Sequence, residues 1–378
     1  MTTPPEVPIP RYGTAALADL VPSLLAGHGV PDCADVLRLA GPDRVCLLLV
    51  DGLGDLLLRE HAAAHAPFLA GLLSTSWTLT AGFPSTTATS LSSIGTGLVP
   101  GQHGLLGYRV AVPGTDQVLN ELRWSKDIDP LAWQPKRTAF ERAEQAGVRV
   151  HQVGPSAFRG SGFTEAGLRG ARYEPAESAG AVVARAVEVL ARPGPVLVYA
   201  YYSELDLTGH LYGSRSAAWQ HELGQVDRLV EQLADSLPAG STLLVTGDHG
   251  MVDVAPADRL DVETDAELSA GVRLLAGESR ARMVYAQPGA EADVLDTWQA
   301  RLGDRAWVRS REQVIDEGWY GTVDAGLVDR IGDVIAAAFG PLAMTATRSE
   351  RMEAGLLGMH GSLTAEEQLV PLLRVDRR

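Results

Sequence analysis

Cysteine is nearly absent: Cys33 and Cys46 are the only two among 378 residues, too few for a disulfide framework or a four-thiolate metal site. Cys46 lies inside an apolar run, and both read as plain thiols. Long hydrophobic runs are missing as well, since no stretch approaches the ~20 apolar residues of a membrane-spanning helix. The segment Met1 to Tyr12 is proline-rich and polar, with no basic stretch followed by an apolar one. No secretory leader is visible there, and the expected compartment is the cytoplasm. Positive charge is in deficit. With 32 Lys and Arg against 47 Asp and Glu, the net charge is −15, a field that repels phosphate backbones and anionic membrane surfaces. A nucleic-acid polymer and a membrane are therefore excluded as expected partners.

What is present is an ordinary globular balance. Apolar residues make up 46% and charged residues 21%, which rules out disorder as the main state. At roughly 150 residues per domain the chain holds more than two domain equivalents. We read residues 1–40 as an N-terminal segment and 41–378 as one large domain, with an accessory α+β insertion at about 255–345. No internal repeat, low-complexity tract or long linker interrupts it.

RVCLLLVDGLGD from Arg44 is a short continuous apolar run closed by glycine, the pattern of a strand buried on both faces. Val148 to Val153, Val196 to Tyr202 and Thr242 to Thr246 repeat it, each separated by enough chain for a helix. One helix is plain: between Ser216 and Leu237, Trp219, Leu223, Val226, Val230 and Leu233 recur at helical spacing. Strands alternating with helices predict an α/β fold, a mostly parallel sheet with helices on both faces. From Arg282 to Tyr320 a strand-helix-strand pattern marks the accessory unit, and the apolar run ending GMHGSLTAEEQLVPLLRV is expected to rejoin the sheet.

In open parallel sheets ligands bind beyond the carboxyl ends of the strands. Asp51 follows the first strand, Asp206 the third, and Asp248 with His249 the fourth. Each Asp alone reads as a helix cap or turn residue; the set converging on one edge does not. Asp206 and His210 share a helix face if the segment turns helically, and can grip one ion. His360, in GMHG, is flanked by glycines that allow close approach. Gly247 and Gly250 are expected to give the Asp248–His249 step the backbone freedom to aim both side chains at one centre. The ligands sort into Asp206, His210 and His360 for one ion and Asp51, Asp248 and His249 for the other. Mixed imidazole and carboxylate donors suit two Zn2+, with Mn2+ or Fe as alternatives, and three protein ligands apiece leave positions open for catalysis. A nucleophile is expected in FPSTTATSLSSIGTG, where Gly95 and Gly97 would close a short helix. Ser85, Thr86, Thr87, Thr89 and Ser90 are all eligible near its anion-binding N-terminus.

The ordered motifs LLVDGLG, FPSTTATSLSSIGTGLVPGQHG, YYSELDLTGH, TGDHGM and GMHGS, from about Val45 to Pro371, resemble the nucleotide pyrophosphatase/phosphodiesterase family of the alkaline phosphatase superfamily. The resemblance implies that Thr87 is both nucleophile and metal contact, that the two ligand groups each hold zinc, and that the fold is alkaline-phosphatase-like. It implies a hydrolase of phosphodiester or nucleotide pyrophosphate bonds acting on a small phosphate ester or nucleotide through a covalent phospho-threonine. Two departures stand out. Thr87-Ala88-Thr89-Ser90 replaces the family's T-F-P-N, and Tyr108 stands where the family has a phosphate-binding asparagine, so Tyr108 is the candidate substrate contact.

Charge counting favours diesters: two divalent ions balance three carboxylates and an alkoxide, which suits a monoanion better than a dianion. Arg109, Lys126 and Arg159 could overturn that balance. A phosphonate hydrolase or a phosphomonoesterase would use the same site, and a non-catalytic metal-binding homologue is the alternative of a different class. A sulfatase is disfavoured because neither cysteine sits in C-x-P-x-R. A homo-dimer stays open, with no interface visible in the sequence.

Overall fold

A computed structural model describes residues 5–39 and 41–377. Its centre is a seven-stranded sheet built from β1 (Arg44–Val50), β2 (Trp77–Thr80), β3 (Arg149–Gly154), β4 (Arg172–Pro175), β5 (Val196–Tyr202) and β6 (Ser241–Thr246), joined by the strand Leu369–Asp376. A second sheet of four strands comprises β7 (Val272–Glu278), β8 (Ala281–Ala286), β9 (Ala306–Ser310) and β10 (Val334–Ala338). The Leu369–Asp376 strand is then β11. The large sheet has the order β2-β11-β6-β1-β5-β3-β4. β1 runs parallel to β5 and β6, and β5 and β3 continue the parallel set to β4. β11 runs against both of its neighbours, β6 and β2, which makes the sheet mixed.

Period-two alternation along β1 explains the layers. Val45, Leu47 and Leu49 enter one apolar core, while Cys46, Leu48 and Val50 enter the other. A central strand buried on both faces must be apolar throughout, which is why RVCLLLV has no polar face to show. The helices covering the sheet include α1 (Asp55–His65), α2 (Thr87–Thr96), α3 (Gly162–Gly167), α4 (Ala179–Leu190), α5 (Glu204–Tyr212) and α6 (Ala217–Ser236). α6 buries Trp219, Leu223, Val226, Val230 and Leu233, the stripe legible in its sequence. The N-terminal segment packs Leu17, Leu20 and Leu24 into the core that also holds Ile94 of α2.

The small sheet is covered on one face by α7 (Glu291–Leu302), whose Val294, Trp298 and Leu302 pack on Val284, Val308 and Ala336. Its other face, with Met283, Tyr285 and Ile335, joins the main core. The strand-helix-strand pattern is thus β8, α7 and β9. Its flanking partners β7 and β10 lay outside the segment that showed that pattern.

Candidate active site

The carboxyl ends of β1, β5 and β6 open onto one edge. Asp51 follows β1, its N–H held by the Tyr202 carbonyl at 2.9 Å. Asp206 and His210 lie one turn apart on α5, which begins two residues after β5. Asp248 and His249 follow β6. His360 comes in just after the two-residue strand Gly358–Met359, which pairs with Val252–Asp253. The structure collects these into Asp206, His210, His360 and into Asp51, Asp248, His249, with ligand atoms in each group within 4.8 Å of one another. His249 and His360 stack at 3.6 Å between ring centroids, which places the two groups side by side.

Supporting contacts hold five of the six residues, all but Asp206, by one atom and turn another toward the group. His210 Nδ1 donates to Gly358 O at 2.8 Å, His249 Nδ1 to Gly250 O at 2.9 Å and His360 Nδ1 to Ser85 O at 3.0 Å. Because a carbonyl only accepts, Nδ1 carries a hydrogen in each ring, which leaves Nε2 as the nitrogen that would offer a lone pair to a cation; at His210 that nitrogen first has to give up a proton, since without a cation it lies 3.2 Å from Asp206 Oδ2. The carboxylates behave alike. Asp248 Oδ1 accepts from the N–H groups of Gly52 and His249, both at 3.0 Å, and Asp51 Oδ2 accepts from the Tyr201 phenol. Asp51 Oδ1, Asp206 Oδ1 and Asp248 Oδ2 are buried without a hydrogen-bond partner. Three orphaned carboxylate oxygens are costly unless a cation satisfies them, so the donor set fits divalent metal. Burial and the neighbouring Asp51 carboxylate push Asp248 well above the carboxylate range. Burial lowers His210, but the charge of Asp206 outweighs it and lifts the imidazole to about 9. Such concentrated negative charge is what a bound cation neutralises.

The hydroxyls of the FPSTTATS segment separate once they have partners. Ser85 Oγ donates to Ser362 O and Ser90 Oγ to Asp248 O, each at 2.7 Å. Thr86 lies near Glu278, and Thr89 is fully buried with its hydroxyl unpartnered. Thr87 is the first residue of α2. Its Oγ1 lies 3.4 Å from His249 Nε2, and it lines a cavity of about 570 Å³ together with Asp51, Asp206 and His360.

Residues 45–363 match the family model for type I phosphodiesterase / nucleotide pyrophosphatase, a span that holds all six of these donors and Thr87. The chain belongs to the type I phosphodiesterase/nucleotide pyrophosphatase family. Over 63 residues it is 43% identical to the mouse and rat ectonucleotide pyrophosphatase/phosphodiesterase family member 7, a match covering 15% of this chain and 14% of those relatives. The fold is shared with mouse ectonucleotide pyrophosphatase/phosphodiesterase 5, solved as an inactive threonine-to-alanine variant in complex with AMP, at a TM-score of 0.69 and 19% identity over 87% of both chains. The human protein of the same name gives 0.68 at 19% identity over 88% of both.

In this member of the phosphodiesterase family the cavity walls are largely apolar, with Leu91, Phe158, Phe163 and Leu168 on one side and Met352 and Leu356 on another. Tyr108 lines the same cavity, but its phenol donates to Glu353 Oε1 at 2.9 Å, so its single proton is committed. Of the cations weighed against the charge count, Arg109 is paired with Glu350 at 2.8 Å. Lys126 and Arg159 are exposed and do not line the cavity, whereas Arg123 does. Trp124 lies under α3, where a side chain at Gly162 would collide with its ring.

Several glycines act otherwise than expected. Gly247 and Gly250 do not adopt positive φ; a Cβ at either would come within 2.2 Å of Leu53 O or 1.9 Å of Glu366 O, so they permit close packing and not a turn. Gly97 does end α2 in the left-handed conformation, but Gly95 lies inside the helix, where the Gly167 carbonyl passes too close for a side chain. Two site residues escaped the sequence reading. Tyr201 had a weak signal, the period-two partner of Tyr199 at the end of β5; Glu278, at the end of β7, had none.

Proposed function

We propose that this protein is a two-metal hydrolase of phosphodiester or nucleotide pyrophosphate bonds that works through a phospho-threonine on Thr87. The observation that carries the reading is the pair of three-residue groups beside Thr87, each with at least one buried carboxylate oxygen that has no hydrogen-bond partner and that a cation would satisfy. Asp206, His210 and His360 would hold one ion, and Asp51, Asp248 and His249 the other, with Thr87 as a further contact. Imidazole and carboxylate donors without thiolate favour zinc. Bound there, two divalent cations supply positive charge to the attacking, leaving and non-bridging oxygens.

The remaining steps belong to the chain. Thr87 Oγ1, at the N-terminus of α2, would give up its proton to solvent and attack phosphorus in line with the leaving oxygen. The P–O bond to the leaving group breaks, and the departing oxygen takes a proton from solvent. Water then attacks the phospho-threonine, releasing the phosphate product and restoring the hydroxyl. A threonine-to-alanine change accompanies the inactive state named for the mouse structural neighbour, in keeping with this role, and its bound AMP suits a small nucleotide as substrate here.

Hydrolysis of bis-p-nitrophenyl phosphate against p-nitrophenyl phosphate by zinc-loaded protein tests the proposal. A diester preference that vanishes in Thr87→Ala supports it. Activity on neither ester with two ions bound refutes the diesterase reading in favour of a phosphonate substrate.

A further inference from the structure

The hairpin joining β7 to β8 carries a carboxylate from the accessory sheet into the active site. Its two strands turn at Ser279 and Arg280, with Glu278 paired opposite Ala281. Glu278 is only 8% exposed, and among the described residues no arginine or lysine forms an ion pair with it. Its neighbour Arg280 is engaged elsewhere, in a fully buried ion pair with Glu367 at 2.7 Å, and Glu367 in turn accepts from Ser362 N–H at 3.0 Å. That clamp ties the hairpin tip to the segment following His360.

The partners of Glu278 are all parts of the reaction centre. Oε1 accepts from the Tyr108 N–H at 3.0 Å, and the side chain of Thr86, the residue before Thr87, lies close enough to Glu278 to favour its charged form. Oε2 lies 3.6 Å from His360 Nδ1. That nitrogen, whose hydrogen goes to Ser85 O, is on the far side of the ring from Nε2, so Glu278 backs His360 by its charge and packing, not by a hydrogen bond, and is not a seventh ligand. The approach requires Gly361, at φ +127°, where a Cβ would stand 2.9 Å from Oε2.

We propose that Glu278 is a positioning residue: it fixes the Thr86–Thr87 step and the Gly107–Tyr108 step against His360, and so makes the accessory sheet part of the catalytic apparatus. The inference rests on the reading of Thr87 and the two ligand groups given above. Misplacing a reacting group by about 1 Å costs on the order of 100-fold in rate, and losing support behind a metal-binding imidazole weakens metal affinity by about 10–100-fold.

The test compares wild type, Glu278→Ala, Glu278→Gln and Glu278→Asp for kcat and KM on bis-p-nitrophenyl phosphate and for zinc affinity by chelator competition. Glutamine keeps an acceptor for Tyr108 and Thr86 and should stay within about fivefold of wild type in kcat. Alanine should lose about 100-fold in kcat with KM changed less than about threefold, and bind one zinc about 10-fold or more weakly. Aspartate, one methylene short, should fall between them, and it serves if the alanine variant does not fold. An alanine or aspartate variant with wild-type kcat and zinc affinity would overturn the proposal, as would a glutamine variant as impaired as alanine. If wild type hydrolyses no ester, the phosphodiesterase reading fails by itself. Zinc affinity still decides the role of Glu278, because unchanged binding in Glu278→Ala then refutes it.

Discussion

The Tyr201 phenol donates its hydrogen to Asp51 Oδ2, leaving Oδ1, 3.4 Å from His249 Nε2, as the oxygen that faces the ligand group. A carboxylate held at one oxygen cannot rotate to offer the other, so the phenol sets which lone pairs a cation meets. Tyr201→Phe should weaken binding of one divalent ion by about 10–100-fold while leaving the second unchanged. Chelator titration followed by metal analysis would show two ions lost together if the phenol had no selective role.

Thr87 faces the two ligand groups, whereas the Ser85 and Ser90 hydroxyls are committed to the Ser362 and Asp248 carbonyls. Thr87→Ala should therefore lower kcat by at least about a thousandfold, as loss of a nucleophile does, with both ions retained and thermal stability nearly unchanged. Trapping of a phosphorylated residue by acid quench should succeed in wild type and fail in the variant.

Glu121 is fully buried beneath the Gly107–Tyr108 loop, accepting from Trp133 Nε1–H at 2.9 Å. Burial pushes its carboxyl up to about 8 from an ordinary 4.5, with the Trp133 hydrogen bond and Arg330 opposing part of that rise. The folded state thus keeps a proton that the unfolded chain releases. The stabilisation is complete below about 4.5 and is lost as pH climbs through about 8. Chemical denaturation across that window should show unfolding free energy falling by up to about 1.4 kcal/mol per pH unit, and Glu121→Gln should flatten the slope.

Gly95 and Gly167 let α2 and α3 touch backbone to side chain: a Cβ on Gly95 would sit 2.2 Å from Gly167 O, and one on Gly167 would sit 2.7 Å from Ser92 Oγ. Gly95→Ala should cost about 1–3 kcal/mol in denaturant unfolding. Because α2 begins with Thr87, kcat should fall as well, with KM less affected.

Local pattern carried the strands, α6 and the i,i+4 geometry of Asp206 and His210, since each depends on residues a few positions apart. Asp51, Asp206, Asp248 and His249 were legible for a related reason: they come at or just after strand ends, and a parallel sheet brings strand ends to one edge, whereas His210 was read from its spacing to Asp206 and His360 only from its glycine-flanked motif. The Gly247 and Gly250 assignments missed because a glycine in sequence does not say whether it bends the chain or admits a neighbour. What each admits, Leu53 and Glu366, is distant along the chain. Glu278 was invisible for the same reason: its partners Thr86, Tyr108 and His360 are joined to it only by the docking of one sheet onto another.

β11 follows every other strand in chain order yet lies between β2 and β6 in the large sheet. On the ribosome those two strands emerge with bare edges, and the edges stay open until residues 369–376 are made. Bare strand edges invite pairing with other chains, so the nascent protein is most in need of a chaperone during that interval. His360 emerges just before the closing strand, so sealing of the sheet and completion of the Asp206, His210 and His360 group fall in one late event. A translation pause or truncation ahead of it would leave a chain that is both aggregation-prone and short of one member of that three-residue group.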